Sequence, residues 1–259
     1  SWTQQNGIIS ADEMWTAANS PFQVTGNVVV SSGVTLTIEP GVTVRFDSGK
    51  VLIVEGTLVA RGTSTSTVTF TSSAASPAAG DWGYIKFKDG YTGSSEIPPS
   101  PSAGTTFDGS GNYVSGSILE HCRVEYGGAY GAVVENATYI NACTFTNNSG
   151  STWGIVDASF SAGFGMDPPY KSVRIINSVF SQNSAAIFDA MNATITGNTI
   201  TNSGGISIKG GVTTVENNLI TNASNGPAIY SQKVGSSDPD STVVISNNQI
   251  RDNSTSGIE

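Results

Sequence analysis

A short phrase that recurs between Ser117 and Asn253 constrains the fold of this chain more than any other feature. Each copy is a β-branched run, then Asn or a small residue, then an apolar residue and Asn. The copies follow one another at about 20 residues, with two longer intervals, which is typical of a solenoid whose single turns cannot bury their apolar face alone. The apolar residue that closes each copy is Val124, Phe145, Phe180, Ile200, Ile220 or Ile250.

The alternation inside each repeat predicts the kind of turn. Ile195 and Ile200 flank a bend at Gly197-Asn198, and the short runs on either side alternate apolar residues with Thr or Ser. No repeat contains a run of about ten residues at helical spacing, so ankyrin and tetratricopeptide repeats are excluded, and the leucine-rich signature is missing as well. The sequence therefore predicts an all-β fold, a parallel β-helix of about ten coils stacked roughly 4.8 Å apart.

Aligning the repeats on their closing residue places a second column two positions earlier. A stacked Asn at a coil corner can bond to the Asn above and below, which satisfies amides that a sharp bend leaves unpaired. We therefore expect a structural ladder there. Its members are Cys122, Cys143, Ser178, Asn198, Asn218 and Asn248. A disulfide and two free thiols are both compatible with stacked cysteines, and we favour two free, buried thiols.

Two segments of the chain resemble a known superfamily. The sequence GVTLTIEPGVTVRF at 33–46, followed by GTLVARGT at 56–63, is similar to the right-handed, pectate-lyase-like parallel β-helices. The likeness is greater to secreted or surface β-helix modules, and it extends over nearly the whole chain from about Val24. It implies right-handed coils and an extracellular or cell-surface location. It also implies that Trp82, in a strand opening shared by the family, is a packed corner rather than a platform for sugars.

The N-terminal segment, residues 1–23, is expected to cap the first coil. Ser10 to Glu13 has the form of a capping box, which predicts a short helix from about Ala11 to Ala18. An exposed strand edge at the end of a β-helix invites aggregation, so a cover is expected there. The apolar plug of this cap would be Trp2, Trp15 and Phe22.

The remainder of the chain, residues 24–259, is predicted to be one β-helix domain. Three stretches rich in Pro, Gly, Ser or aromatic residues interrupt the strand pattern and are expected to form loops at its corners. These insertions lie near 89–116, 158–171 and 234–241.

Charge and hydropathy exclude two classes of partner. The net charge is −9 and the sequence contains no Lys or Arg cluster, which argues against nucleic-acid binding. No apolar run is long enough for a membrane-spanning helix, so no membrane insertion is expected.

The resemblance also indicates what the chain lacks. The polygalacturonase-like enzymes of the superfamily carry Asn-Thr-Asp, an Asp pair, Gly-His-Gly and Arg-Ile-Lys along successive coils. Here no two Asp are adjacent, and the sole His, His121, falls at a predicted coil corner. We therefore expect no catalytic residues of that kind.

An acidic column is the candidate metal site. Glu135, Asp157 and Asp189 each follow two apolar residues and are expected to stack on three successive coils. Carboxylates at that spacing repel one another unless a cation bridges them, and their hard oxygens suit calcium. The alternative is that each carboxylate points into water, where the repulsion is screened. Pectate lyases use a calcium site with a nearby Arg or Lys as base, so the resemblance makes Lys209 the candidate base of an enzymatic alternative.

Four aromatic residues are candidates for stacking on sugar rings: Tyr126, Tyr130, Trp153 and Tyr170. Loop aromatics in repeat proteins also serve local packing, and both readings stay open.

Together these observations predict a secreted or cell-surface β-helix module that is non-catalytic and binds a glycan or serves as an adhesive or structural segment. One alternative is a calcium-dependent polysaccharide lyase or a related carbohydrate-active enzyme. Another is a filament subunit, in which the open coil after Asn253 associates head to tail with a second copy.

Overall fold

The computed structural model describes residues 2–88, 104–150, 154–158, 173–184, 186–224, 226–232 and 242–259. The chain winds through parallel strands that pair from one coil to the next, as predicted for a parallel β-helix. Each complete coil contributes one strand to each of three faces, here called A, B and C. Parallel crossover connections within a sheet are right-handed in about 98% of cases, which agrees with the predicted handedness.

Two long strands, Thr3–Ile9 and Phe22–Val30, begin on face A and continue onto face B. The other strands of face A are Thr43–Phe46, Val68–Ser72, Cys122–Glu125, Thr144–Thr146, Val179–Ser181, Thr199–Thr201, Leu219–Thr221 and Gln249–Arg251. The other strands of face B are Leu52–Val54, Ile85–Phe87, Val134–Glu135, Val156–Asp157, Ile187–Met191, Ile206–Gly210 and Ile229–Ser231.

Among the described residues, face C is a separate nine-stranded sheet. Its strands are Glu13–Trp15, Thr35–Ile38, Thr57–Arg61, Ile118–Glu120, Tyr139–Asn141, Val173–Ile176, Ala193–Thr196, Val212–Glu216 and Thr242–Ser246. Alternate residues of all three faces point inward, so the core is a continuous column of Val, Ile, Leu and aromatic side chains.

Aromatic residues of neighbouring coils stack inside this column. The Phe145 and Phe180 rings lie 4.9 Å apart and nearly parallel. Trp82 is fully buried and stacks on Phe46 at 4.3 Å, and its indole N–H donates to the carbonyl oxygen of Glu125 at 2.8 Å. Trp82 is therefore a packed corner, as expected.

The predicted helix over Ala11–Ala18 is wrong. Glu13–Trp15 is a strand that pairs with Leu36–Ile38 of the next coil, and only Ala17–Asn19 forms a single 3-10 turn. Pairing within the sheet overrides the capping signal: Glu13 pairs with Leu36, and its carboxylate accepts the Trp15 indole N–H at 2.8 Å rather than reaching back to Ser10 as in a capping box.

The expected apolar plug forms in part. Trp15 and Phe22 are buried and stacked at 4.9 Å, whereas Trp2 is 44% exposed. The plug is thus part of the first coils rather than a separate cover over them.

The predicted corner ladder is present between faces C and A. Its bonds run in one direction: the amide of Ser178 donates to Asn198 Oδ1 at 2.9 Å, and the amide of Asn198 donates to Asn218 Oδ1 at 2.9 Å. Asn218 continues the series to Asn248 Oδ1 at 3.0 Å. The residue before each bend has a positive φ, a region that Asn tolerates, as at Asn217 with φ +56°.

A second ladder, which the sequence analysis missed, lies between faces A and B. The amide of Gly127 donates to Asn148 Oδ1 at 2.9 Å, and that of Asn148 donates to Asn183 Oδ1 at 3.0 Å. The amide of Asn183 then donates to the hydroxyl of Ser203 at 3.2 Å. Every member lies three residues after the closing apolar residue of its repeat, so the spacing alone could have revealed it.

Cys122 and Cys143 are buried, unbonded members of the first ladder, as predicted. The amide of Cys122 donates to Cys143 Sγ at 3.4 Å, and the amide of Cys143 donates to the Ser178 hydroxyl at 3.1 Å. Burial raises the pKa of the Cys122 thiol well above its usual range, and its hydrogen bond to Cys143 adds to the shift.

Both thiols are expected to react with a thiol reagent in the denatured, unreduced protein and to resist that reagent while the protein is folded. Finding no free thiol after denaturation would contradict the unbonded pair.

The raised pKa of the Cys122 thiol also makes the stability of the protein depend on pH. Its contribution is complete below the unfolded pKa of about 8.5 and is lost as the pH rises through the folded pKa. Urea denaturation at increasing alkaline pH measures this, with Cys122→Ala as the control that removes the group.

The described part of the first insertion does not project freely. Thr106–Phe107 and Tyr113–Ser115 form an antiparallel hairpin that lies against face C, where Phe107 meets Tyr139 edge-on at 5.0 Å. The guanidinium of Arg174 lies 3.6 Å from the centre of the Phe107 ring. The insertions predicted at 158–171 and 234–241 lie outside the described residues, apart from Ala158.

Candidate functional site

The side chains of Lys86, Glu135 and Asp157 lie close together on the outward side of face B. Glu135 pairs in register with Lys86 of the preceding coil, and Val134 pairs with Val156 of the following coil, so Glu135 and Asp157 occupy equivalent positions. Neighbouring strands lie about 4.8 Å apart, which sets the spacing of the two residues. The Lys86 ammonium lies 2.9 Å from Glu135 Oε2.

Asp189 does not continue this column, contrary to the expected register. Asp157 pairs with Phe188, and Asp189 follows at an irregular position of the strand with φ +51°. The pairing to the next coil shifts between Ile187 and Ala190, which is the mark of a β-bulge. A shift of one residue moves a side chain out of its column, so the predicted set of three stacked carboxylates is not formed.

Asp189 has its own partners. Its side chain is buried, Ser207 donates a hydroxyl hydrogen bond to Oδ1 at 3.4 Å, and the Lys209 ammonium forms an ion pair with Oδ2. The structure therefore shows Lys209 as an ion-pair partner of Asp189, a residue that lies out of the column of Glu135 and Asp157.

Tyr130 stands beside Glu135 and Asp157. Its ring is 65% exposed, and its hydroxyl donates to the carbonyl oxygen of Gly49 at 3.2 Å, which fixes the orientation of the ring. Tyr84 meets Tyr130 edge-on at 6.2 Å, and the Lys86 ammonium lies 5.9 Å from the Tyr84 ring.

These side chains form one small pocket. It encloses about 210 Å³ and is lined by Tyr130, Gly131, Ala132, Glu135 and Asp157. Pockets for drug-sized ligands usually enclose ~300–1,000 Å³, so this pocket suits a single small ring or an ion. Carboxylates accept hydrogen bonds from hydroxyls, and an exposed tyrosine ring offers an apolar surface beside them.

The other sequence-predicted aromatics do not join this pocket. Tyr126 is half-buried with φ +64° and lies at a corner of face A, where it lines a different groove. Trp153 and Tyr170 lie outside the described residues. The sequence analysis missed Tyr84 and Lys86, although both lie within four residues after Trp82, in the strand opening that the family resemblance had identified.

Two further features bear on the kind of site. Within the described residues, no group of three or more His, Cys, Asp and Glu side chains is placed to hold a metal ion. His121 lies at its predicted corner with φ +47° and is partly exposed.

Helices contribute almost nothing to the described part of the chain. None of its helical segments has the length and apolar character that a membrane crossing requires.

Comparisons with known families agree with this architecture. The model of the pectate-lyase-like β-helix domain matches residues 7–154, and the model of the right-handed β-helix region matches residues 165–259. Curated proteins yield no match to this sequence. Because the first match covers more than half of the 259 residues, the chain belongs to the pectate-lyase-like β-helix domain family, and its coils are right-handed.

Proposed function

We infer that this protein is a secreted or cell-surface β-helix module that binds a glycan without cleaving it. The observation that supports this most is the pocket on face B, in which the exposed Tyr130 ring stands beside the carboxylates of Glu135 and Asp157. A sugar ring presents an apolar face and a rim of hydroxyls, and this pocket offers a partner for each. Charged residues make up 12% of the chain, and Ser, Thr and Asn, whose hydroxyl and amide groups can bond to the hydroxyls of a glycan, are abundant.

Glycan binding is expected to depend on Tyr130. We predict that Tyr130→Ala weakens binding of a neutral oligosaccharide found on a glycan array by about five- to tenfold, because the ring surface is lost. Tyr230→Ala is the matched control, since Tyr230 is also exposed on face B but lies several coils away. Equal affinities of the wild type and Tyr130→Ala would contradict the assignment of this pocket.

Incubation with acidic polysaccharides, alongside the neutral oligosaccharides, tests whether the module is an enzyme, because a lyase eliminates only next to the carboxylate of a uronic acid. We expect neither new reducing ends nor unsaturated products that absorb in the ultraviolet after prolonged incubation. Appearance of an unsaturated product would instead support the polysaccharide lyase.

Calcium binding by Glu135 and Asp157 stays a prediction with its own test. A ligand at 100 times its dissociation constant adds about 2.7 kcal/mol to stability, so binding should raise the melting temperature measurably. The double variant Glu135→Gln, Asp157→Asn should lose this shift while retaining the shape of both side chains. An equal shift in the double variant, or none in the wild type after chelation and calcium addition, would remove the site.

A further inference from the structure

A larger groove lies on face A, away from the face B pocket. It encloses about 620 Å³, which is within the usual range for ligand sites. Its floor is formed by outward side chains of adjacent strands, where Thr43 pairs in register with Thr69 and Arg45 pairs with Thr71. One side of the groove is lined by small apolar residues, Ala74, Ala75 and Pro77.

Two partly exposed aromatic residues border this groove. The Trp2 ring is 44% exposed and lies 5.0 Å from the Arg45 guanidinium, which places the ring over the strand that contains Arg45. Tyr126 directly follows the strand Cys122–Glu125. One strand, Val68–Ser72, lies between these two strands and pairs with both. The two aromatic positions are therefore separated by two strand spacings, about 10 Å along the stack of coils.

The apolar side of the groove is held in place before any ligand arrives. Asp81 Oδ2 accepts the Ser72 hydroxyl at 2.7 Å and the Ala78 amide at 2.9 Å, which fixes the loop that leads from Ser72 to Pro77. A preformed wall lowers the entropy that binding must overcome.

The spacing of the aromatic residues fits a proline-rich peptide. A polyproline II segment rises ~3.1 Å per residue, so two prolines that are three residues apart in sequence lie about 9 Å apart. Segments of this kind dock in grooves lined by aromatic side chains. Their carbonyl groups have no internal hydrogen bonds, and the hydroxyls of Thr43 and Thr69 on the groove floor can donate to them.

The chain itself contains such a sequence. Residues 97–101 read Ile-Pro-Pro-Ser-Pro, and they lie outside the described residues. We propose that the groove on face A binds the segment 97–101 of a second copy of the chain, with Pro98 and Pro101 packed against the rings of Trp2 and Tyr126. This contact does not depend on glycan binding at face B.

The positions of the flanking residues indicate a second copy rather than the same chain. Lys88 follows the face B strand Ile85–Phe87, and the Thr105 hydroxyl donates to the carbonyl oxygen of Ser117, which precedes the first residue of a face C strand. Both ends therefore leave the coil at the corner between faces B and C, which is opposite face A. Only three residues lead from position 101 to Gly104, and they span ~10 Å at most. The path around a whole face and its corner, outside the side chains, is longer.

Titration calorimetry with a synthetic peptide tests the groove. The probe is a blocked peptide with the sequence of residues 96–102, and its control carries alanine in place of Pro98 and Pro101. We expect the control peptide to bind the wild type about tenfold more weakly, because the ring contacts are lost. Trp2→Ala should weaken the proline peptide by at least about fivefold, whereas Tyr230→Ala, which removes an exposed ring of face B, should leave its affinity unchanged. Equal affinity of the wild type for both peptides would overturn the proposal, and this comparison requires no variant to fold.

Sedimentation velocity tests the contact between copies. The wild type should gain mass as its concentration rises above the Kd of the peptide, whereas Trp2→Ala and the double variant Pro98→Ala, Pro101→Ala should each stay monomeric. A mixture of these two variants should form pairs, because one retains the segment and the other retains the groove. A wild type that binds the peptide yet stays monomeric above that Kd would overturn the exchange between copies.

Discussion

Alanine in place of Trp82 is expected to lower the free energy of unfolding by about 3–5 kcal/mol, the usual cost of deleting a large buried aromatic side chain. The indole is fully buried and stacks on Phe46, and its N–H satisfies the carbonyl oxygen of Glu125. The ring is tightly packed, since a Cβ at Gly127 would come within 2.8 Å of it, so its removal leaves a large cavity.

Urea denaturation followed by circular dichroism measures this effect. Trp2→Ala is the matched control, because Trp2 is 44% exposed and its loss should change stability by less than about 1 kcal/mol. Trp82→Phe should fall between the two, since it keeps an aromatic ring but leaves the Glu125 carbonyl unpaired. Equal losses for Trp82→Ala and Trp2→Ala would contradict the packing of this corner.

The fold could be predicted because one repeat of the sequence corresponds to one coil of the β-helix. Columns aligned on the closing apolar residue coincide with columns of hydrogen bonds, because Asn198, Asn218 and Asn248 each lie two residues before that residue, even where the interval between coils is longer. The second ladder, with Asn148 and Asn183, carried an equally regular signal.

The predicted register of the face B strands was wrong where the number of residues per coil varies. The sequence analysis stacked Asp157 on Asp189 because each follows two apolar residues, but the structure pairs Asp157 with Phe188. Long insertions interrupt the repeat on that side of the coil, so no constant corner fixes the count of residues. The bulge at Asp189 is decided by tertiary pairing, which no single strand reveals.

The N-terminal segment and the face A groove show a different limit. A capping box describes local hydrogen bonding alone, and the sheet edge offered by Leu36 to Ile38 outweighed it. The sequence analysis considered only the apolar residues of the strand that contains Arg45, although the alternation of inward and outward side chains along that strand places Arg45 on the outside. Its contact with Trp2 joins distant parts of the sequence and emerges only from the fold.

Removing the amide of Asn218 is expected to cost about 2–4 kcal/mol, because several ladder groups lose their partners at once. In Asn218→Ala, the Asn198 amide and its Nδ2 lose an acceptor at 2.9 and 3.0 Å, and the Ile195 carbonyl loses a donor at 3.0 Å. Asn6→Ala is the matched control, since Asn6 is exposed and has no ladder role. Similar losses for both variants, measured by urea denaturation, would show that the ladder adds little.

Asn218→Asp separates the hydrogen bonds from the shape of the side chain. A carboxylate still accepts from Asn198, but it cannot donate to Ile195 O or to Asn248 Oδ1, which lies 2.9 Å from Nδ2. Burial beside these two oxygens favours the protonated acid, so the pKa of the new carboxyl should be higher in the folded than in the unfolded state. The variant should therefore be most stable below about pH 4, the unfolded pKa, and lose stability as the pH rises through its folded pKa. A stability deficit relative to the wild type that is the same at pH 4 and pH 7 would contradict a donating role for the Asn218 amide.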